Sequence, residues 1–92
     1  MSIDPSTTLA KNENVAFRRL AEGEGGVLLH LESGEYHGIN EVGCLIWELV
    51  DGERTVDGLV VALGEDIEDP PADLADQVIA FLDSLRGRDL VT

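Results

Sequence analysis

Two histidines and two glutamates lie close together in the chain, and their side chains are the ones best suited to chemistry. His30, Glu32, Glu35 and His37 fall within residues 30–37, and imidazole and carboxylate groups can both ligate zinc. Zinc sites in proteins repeat such ligands at characteristic spacings, and none of those spacings is present here. We therefore interpret the four residues as surface side chains of neighbouring strands, and no metal is predicted.

Nucleophilic catalysis also lacks a supporting pattern. Cys44, the only cysteine, lies inside a predicted helix, where a small buried apolar residue is the better interpretation. There is no glycine-rich phosphate loop ahead of a helix and no suggestive order of Ser, His and Asp. The sequence predicts a protein without enzymatic activity and without a cofactor. A single cysteine excludes an internal disulfide framework and favours a cytoplasmic location.

The charge of the chain restricts its partners. Nineteen acidic residues stand against six basic ones, which gives a formal net charge of −13. Such a surface repels nucleic-acid backbones and anionic membranes, so neither is a predicted partner. The same field would attract a cationic peptide or protein, whereas a purely solubilising role for the charge is the equally weighted alternative.

The length of 92 residues fits one compact domain, because a chain of this size buries a single modest core. Hydrophobic residues make up 43% of the chain and charged residues 27%, as in folded proteins. Residues 1–14 are expected to form a partly flexible N-terminal segment, since their beginning is rich in Ser, Thr, Asp and Pro. Residues 15–92 are expected to form the domain.

Three strands are predicted at residues 15–20, 27–31 and 35–39, separated by glycine-containing turns. Ser33 and Gly34 form the expected two-residue hairpin loop, which would place Leu31 opposite Tyr36. Alternation then separates two faces of the sheet. We expect one face to pack on helices, and it carries Val27, Leu29, Leu31 and Tyr36. The other face carries Leu28, His30, His37 and Ile39.

After Asn40 the apolar spacing changes to a helical period. Asn40 is the predicted N-cap of a first helix, Thr55 caps a second helix that Gly64 ends, and Asp69 caps a third helix that ends at Gly87. Three strands followed by three helices predict an α+β, winged-helix-like domain with a three-stranded antiparallel sheet.

Several short motifs of this chain resemble the PqqD-like family. They are Gly34-Glu35-Tyr36, Asn40-Glu41, Ile46-Trp47-Glu48-Leu49, Asp51-Gly52 and Thr55, together with Asp76, Phe81, Leu82 and Leu85 of the third helix. The similarity extends from about Val15 to Val91. This resemblance implies a winged-helix-like recognition element that binds the leader peptides of ribosomally made precursor peptides.

Within that family, Tyr36–Gly43 is most similar to stand-alone proteins of lasso peptide biosynthesis. That branch implies two further partners, a separate leader peptidase and a separate cyclase. The alternative is a chaperone of the PqqD type, acting on the precursor of pyrroloquinoline quinone or on another modified peptide.

The hairpin register predicts where a peptide would bind. Tyr36 and Gly38 should point their backbone groups away from the second strand, which leaves an open edge for an added strand. The third helix should supply an apolar second wall with acidic residues along its rim, suited to a cationic peptide with a hydrophobic anchor. The predicted peptide-binding residues are Leu29, Tyr36, His37, Gly38, Ile39, Ala75, Asp76, Ile79, Leu82 and Asp83.

A DNA-binding winged helix is the competing interpretation from another class, since such regulators also combine three helices with a wing. The second helix would have to enter the major groove. Between Val56 and Leu63 it carries Asp57 and no Arg or Lys, so the sequence favours peptide binding over DNA binding.

Overall fold

Three antiparallel strands precede three helices, as predicted. The structure is a computed structural model that describes residues 3–4, 6–67 and 69–92. In chain order the elements are β1 (Val15–Arg19), β2 (Gly26–His30), β3 (Tyr36–Ile39), α1 (Glu41–Leu49), α2 (Val56–Asp66) and α3 (Leu74–Gly87). The strands form one sheet in the order β1-β2-β3. Among the described residues, no helix combines the length and the apolar composition needed to span a bilayer.

The turn between β2 and β3 is longer than the two-residue loop that we predicted. Tyr36 lies opposite Leu29 rather than Leu31. The amide of His30 donates to the carbonyl of Glu35 at 2.8 Å, and the amide of Gly34 donates to the carbonyl of His30 at 2.8 Å. Gly34 has a φ of 77°, a conformation that glycine adopts without strain. The register therefore differs from the prediction by two residues, a shift that leaves the two faces of each strand unchanged.

The assignment of those faces to core and solvent was wrong. Leu28 is fully buried and His30 is 7% exposed, whereas Tyr36 is 73% exposed and Leu31 58%. The face with Leu28 and His30 therefore packs on the helices, and the face with Leu31 and Tyr36 points outward. We call this outward side the outer face of the sheet. Apolar residues occupy both sides of β2, so alternation alone did not show which side is buried.

The helix starts follow local capping chemistry. The side chain of Asn40 accepts a hydrogen bond from the amide of Gly43 at 2.7 Å, and Thr55 Oγ1 accepts one from the amide of Gly58 at 3.1 Å. Both predicted caps are thus confirmed. The predicted end of α2 at Gly64 was wrong, because the helix continues to Asp66.

The start of α3 also differs from the prediction, since the helix begins after Asp73 and not after Asp69. Asp69 precedes Pro70 and has a φ of 55°. Two consecutive prolines disfavour helical backbone in the residues that precede them. The first turn of α3 therefore begins after the two prolines, at Leu74.

Described residues of the N-terminal segment, which we predicted to be partly flexible, pack on the core. Ile3 and Leu9 are 4% and 3% exposed. The amide of Ala10 donates to the carbonyl of Thr92 at 3.3 Å, and the amide of Thr92 donates back at 2.9 Å. These bonds pair the two ends of the chain beside the sheet. Met1, Ser2 and Pro5 of the predicted segment lie outside the described residues.

The core lies between the inner face of the sheet and the three helices. Trp47, whose contacts the sequence did not predict, is 3% exposed. Its ring lies 6.3 Å from that of Phe17 on β1, and Lys11 Nζ lies 5.4 Å from its centroid. The fully buried side chains of the core include Leu28, Leu63, Val78, Leu82 and Leu90.

Candidate functional site

The outer edge of β3 offers backbone hydrogen-bonding groups. Within the described residues β3 pairs with β2 alone. The bond between His30 and Glu35 fixes the alternation of the ladder, because hydrogen-bonded and non-hydrogen-bonded pairs follow one another in an antiparallel sheet. The backbone groups of His37 thus point toward β2, and those of Tyr36 and Gly38 point away from it. The two-residue change of register preserves this alternation. The backbone groups of Tyr36 and Gly38 therefore point away from β2, as predicted.

A groove runs between this edge and α3. It encloses about 430 Å³, and we call it the β3–α3 groove. His37 and Ile39 contribute half-buried side chains from β3, while α3 contributes the half-buried ring of Phe81. The lining residues are Tyr36, His37, Gly38, Ile39, Phe81, Ser84, Leu85 and Arg88.

A smaller cavity of about 150 Å³ adjoins the groove between α1 and α3. We call it the α1–α3 recess, and Phe81 lines both spaces. A Cβ atom added at Gly43 would lie 3.1 Å from two ring carbons of Phe81, so glycine at this position lets the ring approach α1 closely. The recess is lined by Asn40, Val42, Gly43, Ile46, Leu74, Gln77, Val78 and Phe81.

The far end of the β3–α3 groove is polar. Arg88 Nη1 lies 2.7 Å from His37 Nδ1. A guanidinium only donates, so Nδ1 of His37 accepts in this contact. His30 Nε2 lies 3.2 Å from Asp89 Oδ2. The two histidines are therefore bound to different partners, and within the described part of the chain no group of three or more His, Cys, Asp and Glu side chains is placed to hold a metal.

The outer face of the sheet carries a shallow apolar cavity of about 360 Å³. Leu29 lies here, half-buried on the side of the sheet that faces away from the helices. Tyr36 is shared between this cavity and the β3–α3 groove. The cavity is lined by Ala16, Phe17, Arg18, Val27, Leu29 and Tyr36.

The structure brings together only some of the predicted peptide-binding residues. Tyr36, His37, Gly38 and Ile39 line the β3–α3 groove, whereas Leu29 lies on the outer face. None of the five predicted residues of α3 lines the groove or the recess. Leu82 is fully buried and Ile79 half-buried, and Ala75, Asp76 and Asp83 are exposed.

The physical reason is the direction of side chains around α3. Successive helical residues are 100° apart, which places Ala75, Asp76, Ile79 and Asp83 on the side of α3 opposite to Phe81 and turns Leu82 by 100° from it. The groove side consists of residues at the same helical spacing, namely Leu74, Gln77, Val78, Phe81, Ser84, Leu85 and Arg88. Phe81, Ser84 and Arg88 were not among the predicted peptide-binding residues. The helical spacing of Phe81, Ser84 and Arg88 was the available signal.

Cys44 is fully buried in α1. Burial raises the pKa of its thiol, an effect that the nearby Arg19 guanidinium partly offsets. Arg19 itself forms ion pairs with Glu41 and Glu48 of α1. A buried thiol with a raised pKa is a poor nucleophile, because the thiolate is the reactive form.

These features define a small α+β domain with an open strand edge beside a groove that is apolar around Phe81 and polar near Arg88. A family profile described as Coenzyme PQQ synthesis protein D (PqqD) matches residues 25–91. The chain belongs to the PqqD family. A search of curated proteins found no match.

Three solved structures share the fold. The PqqD truncation of Methylobacterium extorquens PqqCD, described as a functional and stand-alone RiPP recognition element, is 21% identical, with a TM-score of 0.79 over 99% of this chain and 95% of that one. Lasso peptide synthetase B1 complexed with the leader peptide is 20% identical, with a TM-score of 0.75 over 94% and 99%. TbiB1 in complex with the TbiA(beta) leader peptide is 24% identical, with a TM-score of 0.74 over 89% and 93%.

Proposed function

We propose that this chain binds the leader segment of a ribosomally synthesised precursor peptide as an additional strand on β3. The observation that carries the proposal is the outer edge of β3, where Tyr36 and Gly38 direct their backbone groups away from β2. An uncovered edge is a template for strand pairing and also an aggregation hazard, so proteins that keep one generally use it.

The β3–α3 groove gives such a strand a place for its side chains. Alternate side chains of an added strand point toward α3, where Phe81 and Ile39 offer apolar contacts. The α1–α3 recess beyond Phe81 is large enough for one apolar anchor. Backbone pairing then supplies affinity that is independent of sequence, and the groove and recess supply specificity.

The related structures support a leader peptide as the occupant. Two of the three are described as complexes with leader peptides, one of them of a lasso peptide synthetase. We therefore favour a role in lasso peptide biosynthesis, in which the captured precursor is presented to a separate leader peptidase and a separate cyclase. The alternative is a PqqD-type chaperone for pyrroloquinoline quinone or another modified peptide, since the family profile carries that description.

The charge of the chain favours a leader with cationic flanks. The net charge of −13 would accelerate the approach of such a peptide. Asp76 and Asp83 lie on the side of α3 away from the groove, so these two carboxylates would act on the leader only at long range.

The outer face of the sheet is a suitable surface for the enzyme that receives the peptide. Leu29 and Val27 are half-buried there, beside the exposed Leu31 and Tyr36. Tyr36 also belongs to the β3–α3 groove, so an enzyme bound to the outer face would touch the captured leader. We assign binding and presentation to this chain and the chemistry to its partners. We place its action in the cytoplasm, where ribosomal precursors are made.

N-methylation of the peptide tests strand addition directly. The leader of a precursor peptide found encoded near this chain would be synthesised as a series in which one backbone amide at a time is methylated. A methyl group removes the donor, so only amides that face β3 matter. We expect binding to be lost at every second position and kept at the positions between, as measured by calorimetry. Uniform tolerance of methylation would contradict strand addition, and an absence of binding by the unmethylated leader would contradict the function itself.

DNA binding is the alternative function, and the exposed surface of α2 does not favour it. The exposed side chains of α2 are Asp57, Val61, Glu65 and Asp66, which offer DNA phosphates no positive charge. Titration with mixed duplex DNA at low salt is expected to show no binding.

A further inference from the structure

Arg88 is the charged residue at the rim of the β3–α3 groove. It directly follows the last residue of α3 and lines both the groove and a neighbouring polar cavity of about 470 Å³. The other residues of that cavity are His30, Ser33, Glu35, His37, Gly87 and Asp89. The guanidinium of Arg88 therefore lies at the polar end of the groove, where one end of a bound strand would be. It provides a local positive charge on a chain whose net charge is negative.

Among the described residues the side chain of Arg88 makes one hydrogen bond and no ion pair. Its guanidinium donates to Nδ1 of His37 at 2.7 Å. The adjacent carboxylate, Asp89, lies 3.2 Å from His30 Nε2 and 3.4 Å from Asn12 Nδ2. The backbone is fixed as well, because the amide of Arg88 donates to the carbonyl of Leu85 at 3.1 Å.

Two other arginines of the chain, Arg19 and Arg54, differ from Arg88 because each forms an ion pair. Arg19 pairs with two glutamates of α1, and Arg54 pairs with Asp51 at 3.2 Å. Within the described residues Arg88 has no carboxylate within 4.0 Å. Arg18 and Arg86 share that property, but neither lines the groove.

We propose that Arg88 selects a peptide with an aspartate or glutamate at the position that lies beside His37. The inference rests on the proposed function and adds a specificity determinant to it. A guanidinium offers five donors in a planar fork that matches a carboxylate, and the contact with His37 uses one of them. Burial of this end of the groove by the bound strand would strengthen a charged hydrogen bond that is weak when exposed to water. The negative charge of the whole chain would attract cationic flanks of the leader. The positive charge of Arg88 would instead bind one acidic side chain at a fixed position of the leader.

A display experiment with random peptides tests the proposal independently of the sequence of the leader. A random library of short peptides is selected against the wild-type protein and against Arg88→Gln. We expect the wild-type selection to enrich Asp or Glu at one fixed distance from the apolar anchor, and the Arg88→Gln selection to lose this enrichment. Arg86→Gln is the matched control, since Arg86 is an exposed neighbour outside the groove, and it should keep the enrichment.

Synthetic peptides then give the magnitude. Exchange of the selected Glu for Gln should weaken binding to the wild type by roughly tenfold, the range of a charged hydrogen bond, and should leave binding to Arg88→Gln unchanged. Arg88→Lys should keep part of the preference, since an ammonium retains the charge but not the fork. Equal binding of the Glu and Gln peptides to the wild type overturns the proposal even if a variant fails to fold.

The outcomes separate this inference from the function on which it rests. Selected peptides that show the alternating sensitivity to N-methylation, but no acidic position, contradict the role of Arg88 alone. Selected peptides without that alternation contradict strand addition. A selection that yields no binding peptide contradicts both.

Discussion

A pair of alanine substitutions on α3 distinguishes the groove side of that helix from its opposite side. Phe81 and Ile79 are both half-buried and both pack against the core. Phe81 lines the β3–α3 groove and the α1–α3 recess, whereas Ile79 lines neither. Phe81→Ala and Ile79→Ala should therefore cost similar amounts of stability and have different effects on peptide binding.

The cost in stability follows from burial. Replacement of a fully buried Phe by Ala destabilises a protein by roughly 3–5 kcal/mol, and of Ile by about 2–5 kcal/mol. With about half of each side chain buried, we expect a loss of ~2 kcal/mol in the free energy of unfolding for Phe81→Ala and ~1–2 kcal/mol for Ile79→Ala. A domain of this size loses about 4–8 °C in Tm per kcal/mol, so both variants should remain folded at room temperature.

The cost in affinity follows from the exposed part of the ring. A phenylalanine side chain carries about 200 Å² of surface, and a strand in the groove would cover roughly 50 Å² of it. At about 25 cal/mol per Å² this burial contributes ~1.2 kcal/mol, or about an eightfold change in Kd. Ile79→Ala should change Kd by less than about twofold, because its side chain faces away from the groove.

Two assays separate the effects. Urea unfolding followed through the fluorescence of Trp47, the only tryptophan, reports stability, since its buried ring becomes exposed to water on unfolding. Fluorescence anisotropy of a labelled leader peptide reports affinity. If Ile79→Ala weakens binding while Phe81→Ala does not, the peptide lies on the opposite side of α3, and the groove is not its site.

Four further changes probe the edge, the cap, the thiol and the outer face. Gly38→Pro removes a donor that points away from β2, so binding should fall more than about tenfold while circular dichroism shows a folded protein; undiminished binding would argue against pairing at this edge. Asn40→Ala removes the cap on the amide of Gly43 and should cost ~1 kcal/mol in urea unfolding, and an unchanged midpoint would show that the bond contributes nothing. Cys44 should resist alkylation in the folded protein and react once guanidinium unfolds it, as followed by mass spectrometry, because burial suppresses its thiolate; rapid labelling of the native state would contradict its burial. Leu29→Glu should keep leader affinity within about twofold but slow processing by the partner enzyme in a reconstituted reaction, and normal processing would exclude the outer face as the enzyme contact.

Several features that depend on neighbouring residues were predictable from the sequence, although the hairpin loop at Ser33 and Gly34 and the cap at Asp69 were not. The caps at Asn40 and Thr55 rest on a side chain three residues before an amide, a relation that is visible in the sequence itself. The element order follows from the change of apolar period near Asn40. The prediction of an open edge on β3 was correct although the predicted register was wrong by two residues, because the direction of the backbone groups repeats every two residues.

Features that depend on distant residues were not predictable. Leu28 and Leu29 are equally apolar, so only the position of the helices decides that Leu28 is buried and Leu29 faces outward. A histidine in a strand is usually expected to face solvent. His30 is nevertheless only 7% exposed, and Asp89, which is distant in the sequence, supplies a hydrogen-bond partner for its ring. The apolar stripe of α3 is broad, and which part of it faces the core depends on how α3 packs against α2.

The pairing of residues 9–12 with residues 90–92 has a consequence for the order of folding. Leu90 and Val91 are buried, and the amide of Asn12 donates to the carbonyl of Leu90. Leu9 is buried in the same core. These contacts join segments that are separated in the sequence by the whole sheet and all three helices, so their formation carries a large loss of loop entropy. We therefore expect this part of the core to close after the β2–β3 hairpin and the helices have formed.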